Sequence, residues 1–396
     1  MTSVLSPVAQ QKHWRWKALW TAAITIAVLV STIVVVAVGS ITTVPMSGVP
    51  TSDVRVAWLL PATRLVADAA AALTVGCCLA ACLLPGAGRG ISLPGARWLR
   101  LATSSAAAWA AAAVAALPGM FVEFLNTDLG NVSVQALGSF LVSVPEGTAQ
   151  GAVILLAALV AVSSRSVLTV VGARTLLLLS LLAGIPGNVV EHLEGEGSRY
   201  EVAVATTAGV LHVAGALTWS GALAALVLLR RLTANDLVAA VTRYSRLAPV
   251  LVLIVGASGL LNGGLELQAP QQLGSTAYGR LIILKALAFT ALLTVGWWHR
   301  QRTLVALTAG HPNAFRRAAA VEVLIFAATL GLAVGLSRTP EPAASAADRT
   351  EPVVSMAGAH PSSQWAAASR PDRPAARCVL LLTTGTSLGG KAGSGN

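Results

Sequence analysis

The chain has 396 residues, 55% hydrophobic and 11% charged, with a mean hydropathy of +0.73. Soluble domains carry about a quarter charged residues, so this composition excludes an ordinary soluble enzyme or binding module and indicates a polytopic membrane protein. The formal net charge of +11 is then read from its distribution over the loops, and it implies no nucleic-acid partner.

A membrane helix needs about 17–25 mostly apolar residues to cross roughly 30 Å of hydrocarbon. Nine stretches meet that criterion: 18–40, 57–84, 98–119, 148–164, 168–188, 203–229, 246–265, 278–298 and 318–336. The predicted fold class is therefore all-α, a membrane helix bundle. The first stretch follows a basic segment but is too long for the core of a signal peptide, which predicts an uncleaved span. Val132–Val144 is apolar, too short to cross, and stops at Pro145, which predicts an interfacial helix. After Ser337 the chain turns rich in Pro, Ala and Ser, and CVLLLTT is too short to span. That composition predicts a disordered tail, because it cannot bury enough apolar surface to offset chain entropy. Truncation at Pro340 is expected to leave membrane insertion intact. The division is 1–17, a basic cytoplasmic N-terminus; 18–202, about five spans; 203–337, about four spans; and 338–396, the tail.

Basic residues alternate between sides. Lys12, Arg15 and Lys17; Arg89, Arg97 and Arg100; Arg165 and Arg174; Arg230, Arg231, Arg243 and Arg246; and Arg300, Arg302, Arg316 and Arg317 fall in one set of connections. The other set is acidic, with Asp53, Glu123, Asp128, Glu146, Glu191, Glu194, Glu196, Glu201 and Glu266. The basic side is read as cytoplasmic, and the N-terminus with it.

Ionisable groups inside spans are costly in lipid and so are candidate functional residues. They are Arg64 and Asp68 in the second stretch, His212 in the sixth, Lys285 in the eighth and Glu322 in the ninth. At about 1.5 Å per residue, Arg64 and Lys285 lie roughly 10 Å from the outer end of their spans, His212 roughly 13 Å and Asp68 roughly 16 Å. Glu322 lies toward the inner end and reads as separate. Arg64 and Asp68 are four apart and can pair; Lys285 is an alternative partner for Asp68. His212 suits either an interhelical hydrogen bond or a metal ligand, since neutral imidazole binds copper, zinc, nickel and iron. Candidate outer-side ligands beside it are His192, Glu191, Met46 and Met120; thioether with imidazole would favour copper, Cu(I) especially. Cys77, Cys78 and Cys82 offer a second soft-ligand set or, more simply, small residues at a packed interface. Trp219, Trp297 and Trp298 lie toward inner span ends, where an aromatic belt is expected.

Four blocks in order give the second half a recognisable character. LHVAGALTWSGALAAL (211–226), RYSRLAPVLVLIVGASGLLNGGLEL (243–267), YGRLIILKALAFTALLTVGWWHRQR (278–302) and RRAAAVEVLIFAATLGLAVGLS (316–337) together resemble the copper-resistance protein D family of bacterial membrane proteins, over roughly 203–337. PATRLVADAAAALTVGCCLAACLLP (61–85) looks like the amino-terminal part of longer actinobacterial relatives. Those relatives continue into a second domain related to cytochrome oxidase assembly proteins; the tail here resembles neither domain and reads as truncated or frame-shifted. The resemblance implies copper handling at the bacterial plasma membrane, often with a small periplasmic or extracellular copper-binding partner. It carries over to His212, Trp219, Gly221, Asn262, Tyr278, Gly279, Arg280, Lys285 and Glu322. Relatives often show Gly-His before the histidine helix, whereas this chain has Gly187-Asn188, with His192 four residues later.

Three functions follow as alternatives. The first is copper import or transfer through an outer-half polar site, and the second a non-transporting factor delivering copper to a respiratory oxidase. The third, a b-type cytochrome, is disfavoured because haem normally needs paired histidines within the spans. No P-loop or other nucleotide motif is present, so neither a nucleotide cofactor nor an enzyme is expected. Oligomeric state stays open.

Overall fold

The computed structural model describes residues 7–37, 54–84, 86, 88–193, 198–228, 232–267, 270–308 and 312–339. Among these residues it has twelve α-helices, besides a 3-10 turn at Leu129–Asn131: α1 (Pro7–Ala37), α2 (Val54–Leu83), α3 (Leu93–Leu125), α4 (Val134–Ser143), α5 (Pro145–Ser163), α6 (Val170–Ala183), α7 (Pro186–Leu193), α8 (Arg199–Leu228), α9 (Ala234–Glu266), α10 (Gln272–Ser275), α11 (Ala277–Thr308) and α12 (Pro312–Leu336). Among the described residues there is no strand, only an isolated bridge between Gly90 and Thr169. Among the described residues seven helices are long and apolar enough to cross a membrane: α2, α3, α5, α8, α9, α11 and α12. The protein is an all-α, multi-pass membrane bundle.

Local chemistry sets the helix ends. Ser92 accepts from the Gly95 amide at the start of α3, and Thr233 from the Asp236 amide at the start of α9, each satisfying a first-turn donor. At the far end of α3, Asn126 adopts a left-handed φ of 49° and closes the helix. Pro145 ends α4 and opens α5, since proline is tolerated in a first turn but not in a continuing helix.

One expected span is not a single helix. The stretch 168–188 divides at Gly184-Ile185-Pro186 into α6 and α7. Pro186 has no amide to bond back, and its ring would clash with the Leu182 carbonyl, so the helix stops before it. With 14 residues, α6 is about 21 Å long and too short to cross alone. Seven of the other stretches coincide with the long helices, several of which extend beyond the apolar run, whereas the first, 18–40, is met among the described residues only by the shorter apolar run Thr21–Val36 of α1. With 33 residues, α9 is about 50 Å long, so its charged first turns project from the hydrocarbon.

Cross-helix contacts fix which ends share a face. The Trp98 indole donates to the Ala225 carbonyl at 3.2 Å, and the Arg243 guanidinium donates to the Leu83 carbonyl. The loops after α2 and α5 exchange backbone hydrogen bonds, Ile91 to Leu168 and Val170 to Arg89. The starts of α3, α6 and α9 and the ends of α2, α5 and α8 therefore share one face. On the opposite face Arg338, beyond α12, grips Glu123 of α3 with contacts of 2.6 and 2.9 Å. Gly331 meets α1 at Ala27–Ser31 and Gly335 meets Val34, so α1 runs parallel to α12.

The main buried cluster holds Cys77, Cys78, Trp98, Leu223, Leu226 and Val323, so α2, α3, α8 and α12 share one core. At its centre α2 and α8 touch backbone to backbone: any Cβ on Gly76 would collide with Gly221, and any on Gly221 with the Ala72 carbonyl. Small residues at a crossing let helices approach in lipid, where packing replaces the hydrophobic effect.

Candidate functional site

His212 lies on the α9-facing side of α8. Its Nδ1 is 3.1 Å from the Val255 carbonyl and 3.3 Å from the Ser258 hydroxyl oxygen. A carbonyl only accepts, so Nδ1 carries the proton. Ser258 directs its own proton to the Ile254 carbonyl at 2.6 Å, leaving its oxygen free to accept. In the neutral ring Nε2 then bears the lone pair, the tautomer that a carbonyl-anchored metal-binding histidine uses. Gly259 makes the room: a Cβ there would stand 3.1 Å from the imidazole Cε1.

Lys285 reaches the same layer from α11. Gly256 faces Phe289 and Gly263 faces Ile282, so α9 and α11 run antiparallel and Lys285 is level with Gly259. Its ammonium is within electrostatic reach of His212. Thus His212 and Lys285, 73 residues apart in sequence, are neighbours. An open groove between α8 and α9, about 520 Å³, runs from Tyr200 past Leu211 to Ser258. Its lining is overwhelmingly apolar, so it supplies no ligand set of its own.

Arg64 and Asp68 form a separate pair on α2. Their closest approach is 4.0 Å, with side chains 57% and 41% exposed. The partner of Asp68 is thus its helical neighbour, on a face open to lipid or headgroups rather than in the bundle interior. Asp68→Ala is expected to lower the yield of folded protein, and adding Arg64→Ala to restore part of it, because an unpaired charge in an apolar setting costs more than no charge. Size-exclusion yields of the two variants check this; full tolerance of the single change would remove the pair's structural role.

Other candidates are dispersed. Met120 is half-buried on α3 and packs with the cluster of Val56, Phe121, Val122 and Phe140. Its helix packs chiefly on α2, α5 and α4, not on the helices that carry His212 and Lys285. His192 and Glu191 belong to α7 by backbone, and their side chains, like Met46, lie outside the described residues. Cys77 and Cys78 are fully buried in the main core. Among the described residues no three His, Cys, Asp or Glu side chains cluster as a metal site.

Trp219 requires a correction. It is not a belt residue but is 95% buried, packed edge-on against Phe289 and Phe326 at 6.1 and 4.8 Å. Its carbonyl accepts from the Tyr244 hydroxyl at 3.1 Å. Placement near a span end predicted an interfacial ring, but α8 is interior at that level. Trp297 and Trp298 are exposed, as a lipid-facing belt requires. Glu322 is buried on α12 beside Gly296 and within electrostatic reach of Tyr244, away from the His212 layer. Tyr278 is buried at the start of α11, Arg280 is exposed, and Gly279 lies against the Gln272 carbonyl of α10.

Sequence reasoning missed three positions. Val255 and Ser258 anchor the imidazole, yet a valine carbonyl leaves no sequence signal. Gly76 was hidden beside the cysteines that drew attention in CCLAAC.

Residues 238–336 match the family model of copper resistance protein D. That segment holds most of α9 and all of α10, α11 and α12, with Asn262, Tyr278, Gly279, Arg280, Lys285 and Glu322. His212, Trp219 and Gly221 precede it, so the histidine meets the matched segment through Val255 and Ser258. No curated protein and no solved structure matches the chain significantly.

Proposed function

We propose that the chain handles copper at the bacterial plasma membrane, moving or handing on the ion through the His212 site, as a transfer protein rather than an enzyme. The match of residues 238–336 to copper resistance protein D supplies the metal. The observation that carries the site is the Nδ1 hydrogen bond to the Val255 carbonyl, which leaves Nε2 as a ligand inside the bilayer. Lys285 adds a positive charge beside the ring; Coulomb repulsion opposes long residence of a cation, which suits passage better than storage. Without a nucleotide motif, movement is driven by gradient or potential. The inside-negative potential favours inward cation movement by about 2.3 kcal/mol per charge per 100 mV.

In this reading the chain crosses nine times with a cytoplasmic N-terminus. The seven long helices are completed by α1, parallel to α12, and by α6 and α7 acting together as one broken crossing. The amino-terminal helices correspond to the first part of the actinobacterial fusion proteins, and a small extracellular copper-binding protein is the natural donor. Cell-associated copper in cells expressing the chain, against cells lacking it, tests the reading. A difference that disappears in His212→Gln is expected; equal copper in all three strains would overturn it.

A further inference from the structure

Resting on that copper reading, we propose that Asn262 supplies an oxygen contact to the ion held at His212 Nε2, and that this nitrogen-and-oxygen donor set selects Cu(II) over Cu(I).

Val255, Ser258, Gly259 and Asn262 recur at i, i+3, i+4 and i+7 of α9, so they share one face. The first two bind the imidazole Nδ1 and the third makes space for the ring. Asn262 is one turn further toward the outer face, about 5 Å along the axis. Its Oδ1 is buried and has no hydrogen-bond partner. A buried acceptor without a donor loses its hydration uncompensated, and such groups in native proteins call for an ion, a water or a functional role. Here the orphan oxygen stands on the stripe that orients the imidazole, so one electron-poor guest can serve both acceptors.

The donor types argue for the oxidation state. Cu(I) prefers thiolate and thioether sulfur, whereas imidazole with oxygen suits Cu(II). Among the described residues the sulfur-bearing side chains are Met120 on α3 and Cys77, Cys78 and Cys82 on α2. The neutral polar groups next to His212 are instead the Ser258 hydroxyl and, one turn away, the Asn262 carboxamide, with the Lys285 ammonium as the neighbouring charge.

The test uses the full-length chain in lipid nanodiscs, titrated with Cu(II) alone and followed by electron paramagnetic resonance. Cu(I) affinity is measured separately by competition with a colorimetric chelator. Asn262→Leu should weaken Cu(II) binding about tenfold or more and change the copper hyperfine coupling, with thermal stability unchanged or raised because an unsatisfied acceptor is gone. Asn262→Asp should tighten Cu(II) binding, since a carboxylate is the stronger oxygen ligand, and it carries the test if the leucine variant fails to fold. Wild type should bind Cu(I) more weakly than Cu(II). Unchanged Cu(II) affinity and spectrum in both Asn262 variants would overturn the oxygen contact, and tighter Cu(I) binding would overturn the selection. Cu(II) binding that survives His212→Ala would instead defeat the His212 reading beneath it.

Discussion

Gly221→Val is expected to abolish most folded protein. The α2–α8 crossing leaves no space for a side chain: Gly221 lies on the Ala72 carbonyl and against Gly76. The obstruction is backbone, which cannot rotate aside, so the helices must separate along the crossing. Overpacking a core costs about 1–3 kcal/mol and more where the backbone has to shift; marginal stability of about 5–15 kcal/mol tolerates little of that. The separation would also loosen the shared core of Cys77, Trp98 and Leu223. Gly264→Ala is the control, since nothing lies within 4 Å of a Cβ there and alanine is the better helix former. Monodisperse yield and thermal midpoint in detergent decide it. Near-normal yield of Gly221→Val would mean that the helices do not touch at this point.

His212→Ala should abolish the copper-dependent phenotype while protein level stays near normal. Its ring is half-buried and bonded to one carbonyl and one hydroxyl, so its loss removes about 0.5–1.5 kcal/mol of hydrogen bonding, not a core. His212→Gln discriminates further. Its amide can still donate to the Val255 carbonyl, but it offers a poor ligand for copper. If glutamine behaves as wild type, the residue is an interhelical clasp. The pH dependence has a definite sign. Coordination needs the neutral ring, so lowering the pH lets protons compete and weakens binding, while raising it strengthens binding until the ring is fully neutral. A copper affinity that rises on acidification would contradict ligation by His212.

Much of this was legible in the sequence because the bilayer is a simple solvent. Every backbone polar group must be satisfied internally, so about twenty apolar residues can only form a helix. The starts of α2, α3 and α9 were underestimated because a helix continues past the hydrocarbon wherever its caps allow. Hydropathy read through 184–186, whereas Pro186 obeys a local steric rule and divides the stretch. The costly residues Arg64, Asp68, His212, Lys285 and Glu322 stood out by charge alone.

Sequence by itself thus determined the class of fold, seven of the nine expected spans and the short list of polar residues, because each is set by the cost of a group in lipid. Only the tertiary structure decided partnership. It joined His212 to Lys285 while leaving Arg64 and Asp68 to each other, moved Trp219 from the lipid boundary into the core, and kept Met120 in an apolar cluster on α3. Depth is a one-dimensional quantity that rise per residue can supply. Which side of a helix faces which neighbour depends on rotation about its axis, and in this bundle Gly76, Gly221 and Gly259 set that rotation by admitting backbone or ring where any side chain would stand in the way.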